Sequence, residues 1–325
     1  MSDCVNKKSY FKSISIKGLV EALFALFFIC NVVGYFGRFA WYLELFAHFK
    51  FQYFVVAILF TVTFLLLKTW KFLSLAILVL GVNFFHIAPF YLEFSSSDYV
   101  MPENSNTLNL ISFNVYTDND NYEGVIEYIK SENPELFVLQ EVNREWIENI
   151  QPLFEIYEYS LIKPREDNFG IALLSKIPLK DKSIEYYGGS RVPNVVADFM
   201  HNGKEVTIIG THPLPPMGAN YFEDRNNQLR DLASKRSEFS DSLIVIGDLN
   251  TTSWTNIFKE FSRDMDVYDT RLGKGIQPTW PSMIPFFKIP IDHCLVSEDI
   301  TVIERKTGSD LGSDHKPILV ELAVN

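Results

Sequence analysis

The chain has 325 residues, a formal net charge of −11 and three cysteines. This length fits two structural units but not many. The acidic balance argues against a sequence-independent DNA-binding surface, because such binding depends on Lys and Arg side chains that neutralise phosphates. The cysteines are too few and too scattered for a disulfide framework or a zinc cluster.

The N-terminal part of the chain is strongly apolar and contains three stretches that predict membrane-spanning helices. They are Gly18 to Phe36, Phe51 to Leu67, and Phe72 to Tyr91. Each approaches the ~20 apolar residues that a helix needs to cross a hydrocarbon core of ~30 Å. A cleaved signal peptide would explain the first stretch but not the other two. We therefore predict a three-helix transmembrane region over residues 1–94.

Basic residues around these stretches predict how the region is oriented. Lysines precede the first stretch and lie between the second and third: Lys7, Lys8, Lys12, Lys17, Lys68 and Lys71. The opposite side carries only Arg38 and Lys50. The positive-inside rule then places the N-terminus in the cytoplasm and, after three spans, the rest of the chain outside it, in the periplasm if the cell is Gram-negative. Residues 95–106 are polar, contain Pro102 and predict a linker.

Residues 107–325 alternate apolar runs with helical patterns, which predicts an α/β domain. The predicted strands are Leu108–Phe113, Leu136–Leu139, Ile171–Leu174, Val195–Met200, Val206–Gly210, Leu243–Ile246, and runs centred on Leu295 and Leu319. Predicted helices run to Tyr128 from a cap at Asp118, Asn119 or Asp120, and over Asp224–Arg236 and Trp254–Phe261. The Asn202-Gly203 pair predicts a hairpin turn.

Polar residues stand where these strands are predicted to end. They are Asn114, Glu141, His212, Asp248 with Asn250, Asp292, and Asp314 with His315. One such residue is usually a cap or turn residue, but six such endings in one domain favour a shared site. Asp248 and Asn250, two apart on a predicted extended segment, would point the same way.

The ordered set of motifs resembles the endonuclease/exonuclease/phosphatase superfamily, which has the deoxyribonuclease I-like fold. The similar motifs are Ser112-Phe113-Asn114, Leu139-Gln140-Glu141, Gly210-Thr211-His212, Gly247-Asp248-Leu249-Asn250, Ile291-Asp292-His293 and Gly312-Ser313-Asp314-His315. The resemblance extends from about Leu108 to Leu322. It implies a four-layer α/β sandwich and a metal-dependent phosphoesterase that hydrolyses phosphodiester or phosphomonoester bonds, with Mg²⁺, or alternatively Mn²⁺, as cofactor.

The resemblance also implies a metal site. The family counterpart of Glu141 is the main metal ligand, and a carboxylate is the hard oxygen ligand that Mg²⁺ prefers. Asn114 and Asp314 are expected to assist it. Asp248 could hold a second metal.

Catalytic roles follow from the same resemblance and from side-chain chemistry. Asp248 and Asn250 are expected to orient the attacking water and to contact the phosphate. His315 is the best general base, because a histidine pKa can be set near neutrality. Asp292 would fix the tautomer of His315. His212 would donate to a phosphoryl oxygen or to the leaving group.

Arg191, Asn250 and Trp280 are candidate substrate-binding residues. A guanidinium group such as that of Arg191 matches phosphate oxygens bidentately, and Trp280 either packs or lines the substrate entrance. Apolar loops at residues 213–218 and 283–287 stand near the site in sequence. Such loops can touch a bilayer or pack on the membrane region, so a phospholipid or other lipid-linked phosphate is slightly favoured as substrate.

Two alternatives remain open. One is an extracytoplasmic endonuclease or exonuclease, although no basic stripe with interleaved aromatic residues favours nucleic acid as the partner. The other is a catalytically silent membrane scaffold or binding module, which the intact set of candidate ligands argues against. The sequence predicts no particular protein partner.

Overall fold

The computed structural model describes residues 15–92 and 107–324. The predicted linker over residues 95–106 lies outside the described residues, as do the first three lysines used to predict orientation. The helices are, in chain order, α1 Ile16–Val33, α2 Trp41–Glu44, α3 Lys50–Leu66, α4 Trp70–Ile87, α5 Tyr122–Glu132, α6 Arg144–Asn149, α7 Ala219–Ser234 and α8 Asn256–Asp264.

The four N-terminal helices contain the predicted apolar stretches. By length and composition, the helical segments Ile16–Phe39 and Trp70–Phe90 are each able to cross a membrane. The middle stretch passes the same test only when Trp41–Ala47 and Lys50–Leu66, which are bent by 60° at their junction, are taken as one span. Two spans therefore stand on their own among the described helices, and the third depends on this bent pair.

Within the described residues, twelve strands form two six-stranded sheets. They are β1 Leu108–Asn114, β2 Leu136–Gln140, β3 Tyr159–Lys163, β4 Ile171–Ser175, β5 Leu179–Glu185, β6 Asn194–His201, β7 Lys204–Gly210, β8 Ser242–Asp248, β9 Tyr268–Asp269, β10 Asp292–Val296, β11 Ile300–Thr307 and β12 Ile318–Val324. The first sheet has the order β11-β12-β1-β2-β4-β3 and the second the order β5-β6-β7-β8-β10-β9.

Alternating side chains on the strands build three apolar layers. One face of each sheet contributes to a shared core, in which residues such as Leu110, Val138, Ile208 and Ile246 are buried. The other face of the first sheet packs on α5 and α6. The other face of the second sheet packs on α7 and α8. Helices, sheet, sheet and helices thus form four layers, which confirms the predicted α/β sandwich.

Two site motifs lie at the start of strands and not at the end, which corrects the sequence prediction. Asp292 is the first residue of β10, and Asp314 with His315 precede β12. β10 runs antiparallel to β8, and β12 runs antiparallel to β1. Their beginnings therefore lie at the edge where β8 and β1 end. In the β8–β10 ladder Asp292 stands directly opposite Asp248.

The predicted cap of α5 is also wrong. The helix follows Asn121, whose side chain makes no capping hydrogen bond. Asn119 instead donates from its amide group to the carbonyl oxygens of Val115 and Leu311, at 3.0 and 3.1 Å. This side chain therefore joins the end of β1 to the loop that carries Asp314, and its Oδ1 accepts from the N–H of Asn121, the residue before the helix, at 3.1 Å.

Candidate active site

Asn114, the last residue of β1, lies where polar side chains of both sheets meet. Its Nδ2 donates to Glu141 Oε1 at 2.9 Å and to Asp248 Oδ2 at 3.2 Å, and it lies 3.5 Å from His315 Nε2. Its Oδ1 accepts from the backbone N–H of Tyr116 at 3.1 Å. The structure thus brings Glu141 of the first sheet and Asp248 of the second to one amide group.

His315 is held by a buried carboxylate. Its Nδ1 lies 2.9 Å from Asp292 Oδ2, so Asp292 accepts from Nδ1–H and leaves Nε2 facing Asp248 Oδ2 at 3.6 Å. Ser313 fixes the backbone here, because its Oγ donates to the Asn114 carbonyl at 2.8 Å and accepts from the His315 N–H at 3.0 Å. The geometry is that of a histidine whose tautomer is set by a carboxylate.

His212 approaches the same cluster from the end of β7. Its Nε2 lies 3.5 Å from Asp248 Oδ2, and its Nδ1 is buried with no hydrogen-bond partner among the described residues. Gly247 permits this approach: its φ is +145°, and a Cβ there would stand 2.0 Å from the Thr211 carbonyl oxygen. Only glycine allows β8 to pass this close to the end of β7.

Opposite charges shift the titration of these buried groups. Burial raises the pKa of Asp248, but the neighbouring His315 and His212 outweigh burial and lower it to about 2. Burial lowers the pKa of His315, but the carboxylates of Asp292 and Asp248 raise it to about 10. The pKa of His212 is raised by Asp248 in the same way against the effect of burial. The carboxylates therefore favour the protonated form of both histidines, against the effect of burial.

Two site residues have left-handed backbone conformations that non-glycine residues rarely adopt. Glu141 has φ +63° and Asn250 has φ +49°. The prediction of an extended Asp248–Asn250 segment is therefore wrong. The chain turns at Asn250, whose N–H donates to Asp248 Oδ1 at 2.8 Å and whose Nδ2 donates to the Pro213 carbonyl at 2.9 Å. Such conformations are retained where surrounding contacts impose them, often at functional sites.

The remaining predicted residues divide into one that joins the cluster and one that lies apart. Trp280 Nε1 donates to Asp314 Oδ2 at 2.9 Å, and its ring centroid is 6.4 Å from that of His315. Arg191 is exposed, and among the described contacts it contributes its backbone carbonyl, which accepts from Arg165. Its predicted role as a phosphate clamp thus has no contact with the cluster to support it here.

Two residues at the site were not foreseen from the sequence. Phe169 places its ring centroid 5.4 Å from that of His212, and Arg225 donates from Nη1 to the Asn250 carbonyl at 3.1 Å. Phe169 lies in a polar loop without a motif. Arg225 lies in a helix of mostly polar and charged residues, where the sequence suggests an exposed side chain. Their roles depend on tertiary contacts, so no local pattern indicates them.

Comparison with known proteins agrees with this geometry. A family profile described as "Endonuclease/Exonuclease/phosphatase family" matches residues 111–315. No curated protein sequence matches the chain. Among solved structures, the fold is similar to that of D. rerio TDP2 complexed with a single-strand DNA product, with 18% identity, a TM-score of 0.56, and coverage of 67% of this chain and 99% of that chain.

Two further structures show the same likeness. The endonuclease/exonuclease/phosphatase from Bacteroides vulgatus has 17% identity and a TM-score of 0.57, covering 68% of this chain and 100% of that one. SmcL has 17% identity and a TM-score of 0.53, covering 67% of this chain and 99% of that one. At these identities the likeness concerns the fold alone. The profile, however, spans all six motifs from Asn114 to His315, so the chain belongs to the endonuclease/exonuclease/phosphatase family, whose members are metal-dependent phosphoesterases.

Proposed function

We propose that this protein is a membrane-anchored hydrolase that uses a divalent cation, Mg²⁺ or alternatively Mn²⁺, to cleave a phosphate ester carried by a lipid. The observation that carries this proposal is an apolar loop at residues 281–287, which extends from the site to the N-terminal helices. Its side chains Met283, Ile284, Phe286 and Phe287 are 83%, 51%, 54% and 53% exposed. Side chains this apolar are seldom exposed together unless they meet a partner or a membrane.

One end of the 281–287 loop is attached to the site. Ser282 donates from its N–H to the Asp314 carbonyl at 2.7 Å and from its Oγ to the Ser313 carbonyl at 2.9 Å. Trp280, which precedes the loop, bonds the Asp314 side chain. A lipid lying against this loop would therefore have its headgroup next to Asp314 and His315.

The other end of the 281–287 loop is attached to α3. Gln52 Nε2 donates to the carbonyl oxygens of Phe286 and Lys288 at 3.1 and 2.9 Å. The rings of Phe49 and Phe287 meet edge to face with centroids 6.4 Å apart. Since α3 is one of the candidate membrane helices, these contacts support a position of the exposed apolar side chains at the lipid surface.

The charges of the site fit a divalent cation. Glu141, Asp248, Asp292 and Asp314 supply four carboxylates. The positive groups beside them include His212, His315 and the buried guanidinium of Arg305, which donates to the Asp292 carbonyl at 3.1 Å. Ligand atoms of Asp248, Asp292 and His315 lie within 4.8 Å of one another, but the Asp292–His315 hydrogen bond already uses two of them. We therefore assign the cation to Glu141, with Asn114 and Asp314 assisting and Asp248 beside it.

The side chains then divide the work of hydrolysis. His315 accepts the proton of the attacking water at Nε2, while Asp292 holds Nδ1–H and stabilises the imidazolium that forms. Asp248 and Asn250 orient the water and the phosphate, and His212 donates to a phosphoryl oxygen or to the leaving group. A bound divalent cation would polarise the phosphoryl oxygen and lower the pKa of His315 by neutralising the nearby carboxylates.

The topology proposed is a cytoplasmic N-terminus and an extracytoplasmic catalytic domain, with boundaries at residues 1–94, 95–106 and 107–325. The distribution of lysines supports this orientation. The catalytic domain contacts both the α1–α3 connection and the end of α4. These two segments lie on the same side of the membrane if the region crosses it three times, so the contacts support three spans. Examples are the His48–Thr252 contact and the backbone bond from Gly275 to Phe90. Protection of the domain from added protease in intact spheroplasts would contradict it.

A substrate panel tests the proposed function. The full chain in lipid vesicles would be assayed with Mg²⁺ against phospholipids, isoprenyl phosphates, DNA and a soluble bis-aryl phosphate, with His315→Ala as the control. Turnover of a lipid phosphate that is lost in the variant is the expected result. DNA cleavage without lipid turnover would favour the nuclease alternative. No turnover of any ester would favour the silent scaffold.

A further inference from the structure

The loop that follows the catalytic Asp248, residues 249–255, is held between the active site and the N-terminal helices. Thr252 Oγ1 lies 3.1 Å from His48 Nδ1, and Trp254 Nε1 donates to the His86 carbonyl at 3.1 Å. The Trp254 ring also meets that of Phe90, with centroids 6.1 Å apart. The 249–255 loop therefore packs against the N-terminal helical region.

A buried ion pair makes the third connection. Arg225 on α7 places Nη2 at 2.7 Å from Glu44 Oε1 on α2, and Nη1 donates to the Asn250 carbonyl at 3.1 Å. Its Nε and Nη2 also donate to Asn226 Oδ1. The Arg225 and Glu44 side chains are 0% and 2% exposed. Glu44 and Arg225 therefore form a close ion pair that is shielded from solvent.

This arrangement bears directly on catalytic geometry. Asn250 has a left-handed backbone conformation. Its carbonyl accepts from Arg225, and its N–H donates to Asp248 Oδ1. The φ and ψ angles of Asn250 set the direction of the carbonyl relative to the N–H, so the bond from Arg225 helps to keep the N–H aimed at Asp248. An unusual turn of this kind persists only if its surroundings impose it. Glu44 neutralises the Arg225 guanidinium that holds this turn. Without the Glu44 carboxylate, the buried positive charge of Arg225 would have no compensating negative charge.

We propose that Glu44 and Arg225 are positioning residues, through which the N-terminal helical region forms part of the active site and holds Asn250 and Asp248 in register with the phosphate. This inference rests on the proposed phosphoesterase function, but not on the lipid as its substrate. Under this proposal the N-terminal helical region affects catalysis as well as anchoring the protein, because the turnover number depends on the contact between Glu44 of α2 and Arg225 of α7.

Kinetics of the full chain in detergent test the proposal with the soluble bis-aryl phosphate, which needs no membrane access. Glu44→Gln keeps the shape of the side chain and removes its charge. We expect kcat to fall at least tenfold while KM changes less than threefold, and Glu44→Asp to recover part of kcat. The matched control is Glu260→Gln, which breaks an exposed ion pair between Glu260 of α8 and Arg230 of α7, at 3.2 Å, and should leave both constants unchanged. A kcat of Glu44→Gln within twofold of wild type would overturn the proposal.

A second measurement does not depend on turnover. Hydrogen–deuterium exchange in peptides that cover residues 249–255 should rise at least fivefold in Glu44→Gln and stay unchanged in Glu260→Gln. Unchanged exchange in Glu44→Gln would overturn the proposal, even if wild type hydrolysed no ester and the proposed function failed. If Glu44→Gln does not fold, Glu44→Asp takes its place, since its shorter side chain keeps the charge and draws the carboxylate away from Arg225 Nη2. A lower kcat and faster exchange are again expected, and wild-type values would refute the proposal.

Discussion

Replacing Asp292 distinguishes the two contributions that this carboxylate makes to His315. Asp292→Asn can keep the tautomer, because the amide oxygen can take the place of Oδ2 and accept from Nδ1–H. The amide NH₂ then occupies the place of Oδ1, which has no hydrogen-bond partner among the described residues. The variant therefore loses the charge alone. Asp292→Ala loses the charge and the acceptor.

The expected losses follow from the 2.9 Å separation of Nδ1 and Oδ2. Two unit charges at that distance in an effective dielectric constant of ~20 interact by ~6 kcal/mol. If roughly half a charge develops on the imidazole in the transition state, Asp292→Asn raises the barrier by about 3 kcal/mol, or about 10²-fold in kcat. Asp292→Ala also releases the tautomer, for a total loss of about 10⁴-fold.

The assay is Mg²⁺-dependent hydrolysis of the bis-aryl phosphate at saturating substrate, with thermal unfolding as the control for folding, because Asp292 is fully buried. Equal loss of activity in both variants would contradict this division of roles, since the tautomer would then depend on another group. More than a tenth of wild-type kcat in Asp292→Ala would contradict it as well.

Three other predictions concern strain, the membrane and pH. Gly247→Ala should destabilise the protein by ~2 kcal/mol or more, because the new Cβ would stand 2.0 Å from the Thr211 carbonyl oxygen; an unchanged melting temperature would contradict this. Replacing Phe286 and Phe287 together by Ser should lower turnover of lipid in vesicles by roughly tenfold or more and leave the soluble ester unaffected; equal losses on both substrates would argue against membrane contact. His315 must lose its proton to act as a base, and although burial lowers its pKa, the two carboxylates raise it to about 10. Saturating Mg²⁺ should therefore move the acidic limb of kcat/KM to lower pH than limiting Mg²⁺ does, and an acidic limb at the same pH would count against this role.

The sequence predicts the interior of the two sheets better than their edges. All eight predicted strands correspond to interior strands, whereas β3, β5, β9 and β11, which were not predicted, are the four edge strands. Interior strands are buried on both faces and form continuous apolar runs. Edge strands such as β5, Leu179–Glu185, are partly exposed and carry charges that hide the pattern.

The sequence motifs do not show the direction of the strands that carry them. Asp292 and His315 reach the correct edge because β10 and β12 run antiparallel to their neighbours. A polar residue next to an apolar run marks an end of a strand, and the pattern does not say which end. Their convergence was inferred from the resemblance and not from the residues alone.

Contacts between distant segments lie beyond such reasoning. Glu44 belongs to an apolar region and Arg225 to a charged helix, and nothing local indicates that they form a buried ion pair. The sequence also does not indicate the left-handed backbone conformations of Glu141 and Asn250, because neither position is a glycine. Their conformations are imposed by neighbours that only the tertiary structure brings together.

We propose above that a cation-dependent centre built on His315 and Glu141 cleaves a phosphate ester. Its most direct test is the initial rate of bis-aryl phosphate hydrolysis by the full chain, measured while Mg²⁺ is titrated into wild type, Glu141→Gln and His315→Ala. Wild type should show saturable activation, Glu141→Gln should need much more Mg²⁺, and His315→Ala should not be activated at any concentration. Wild-type rates without Mg²⁺, or Mg²⁺-activated turnover by His315→Ala, would contradict this proposal.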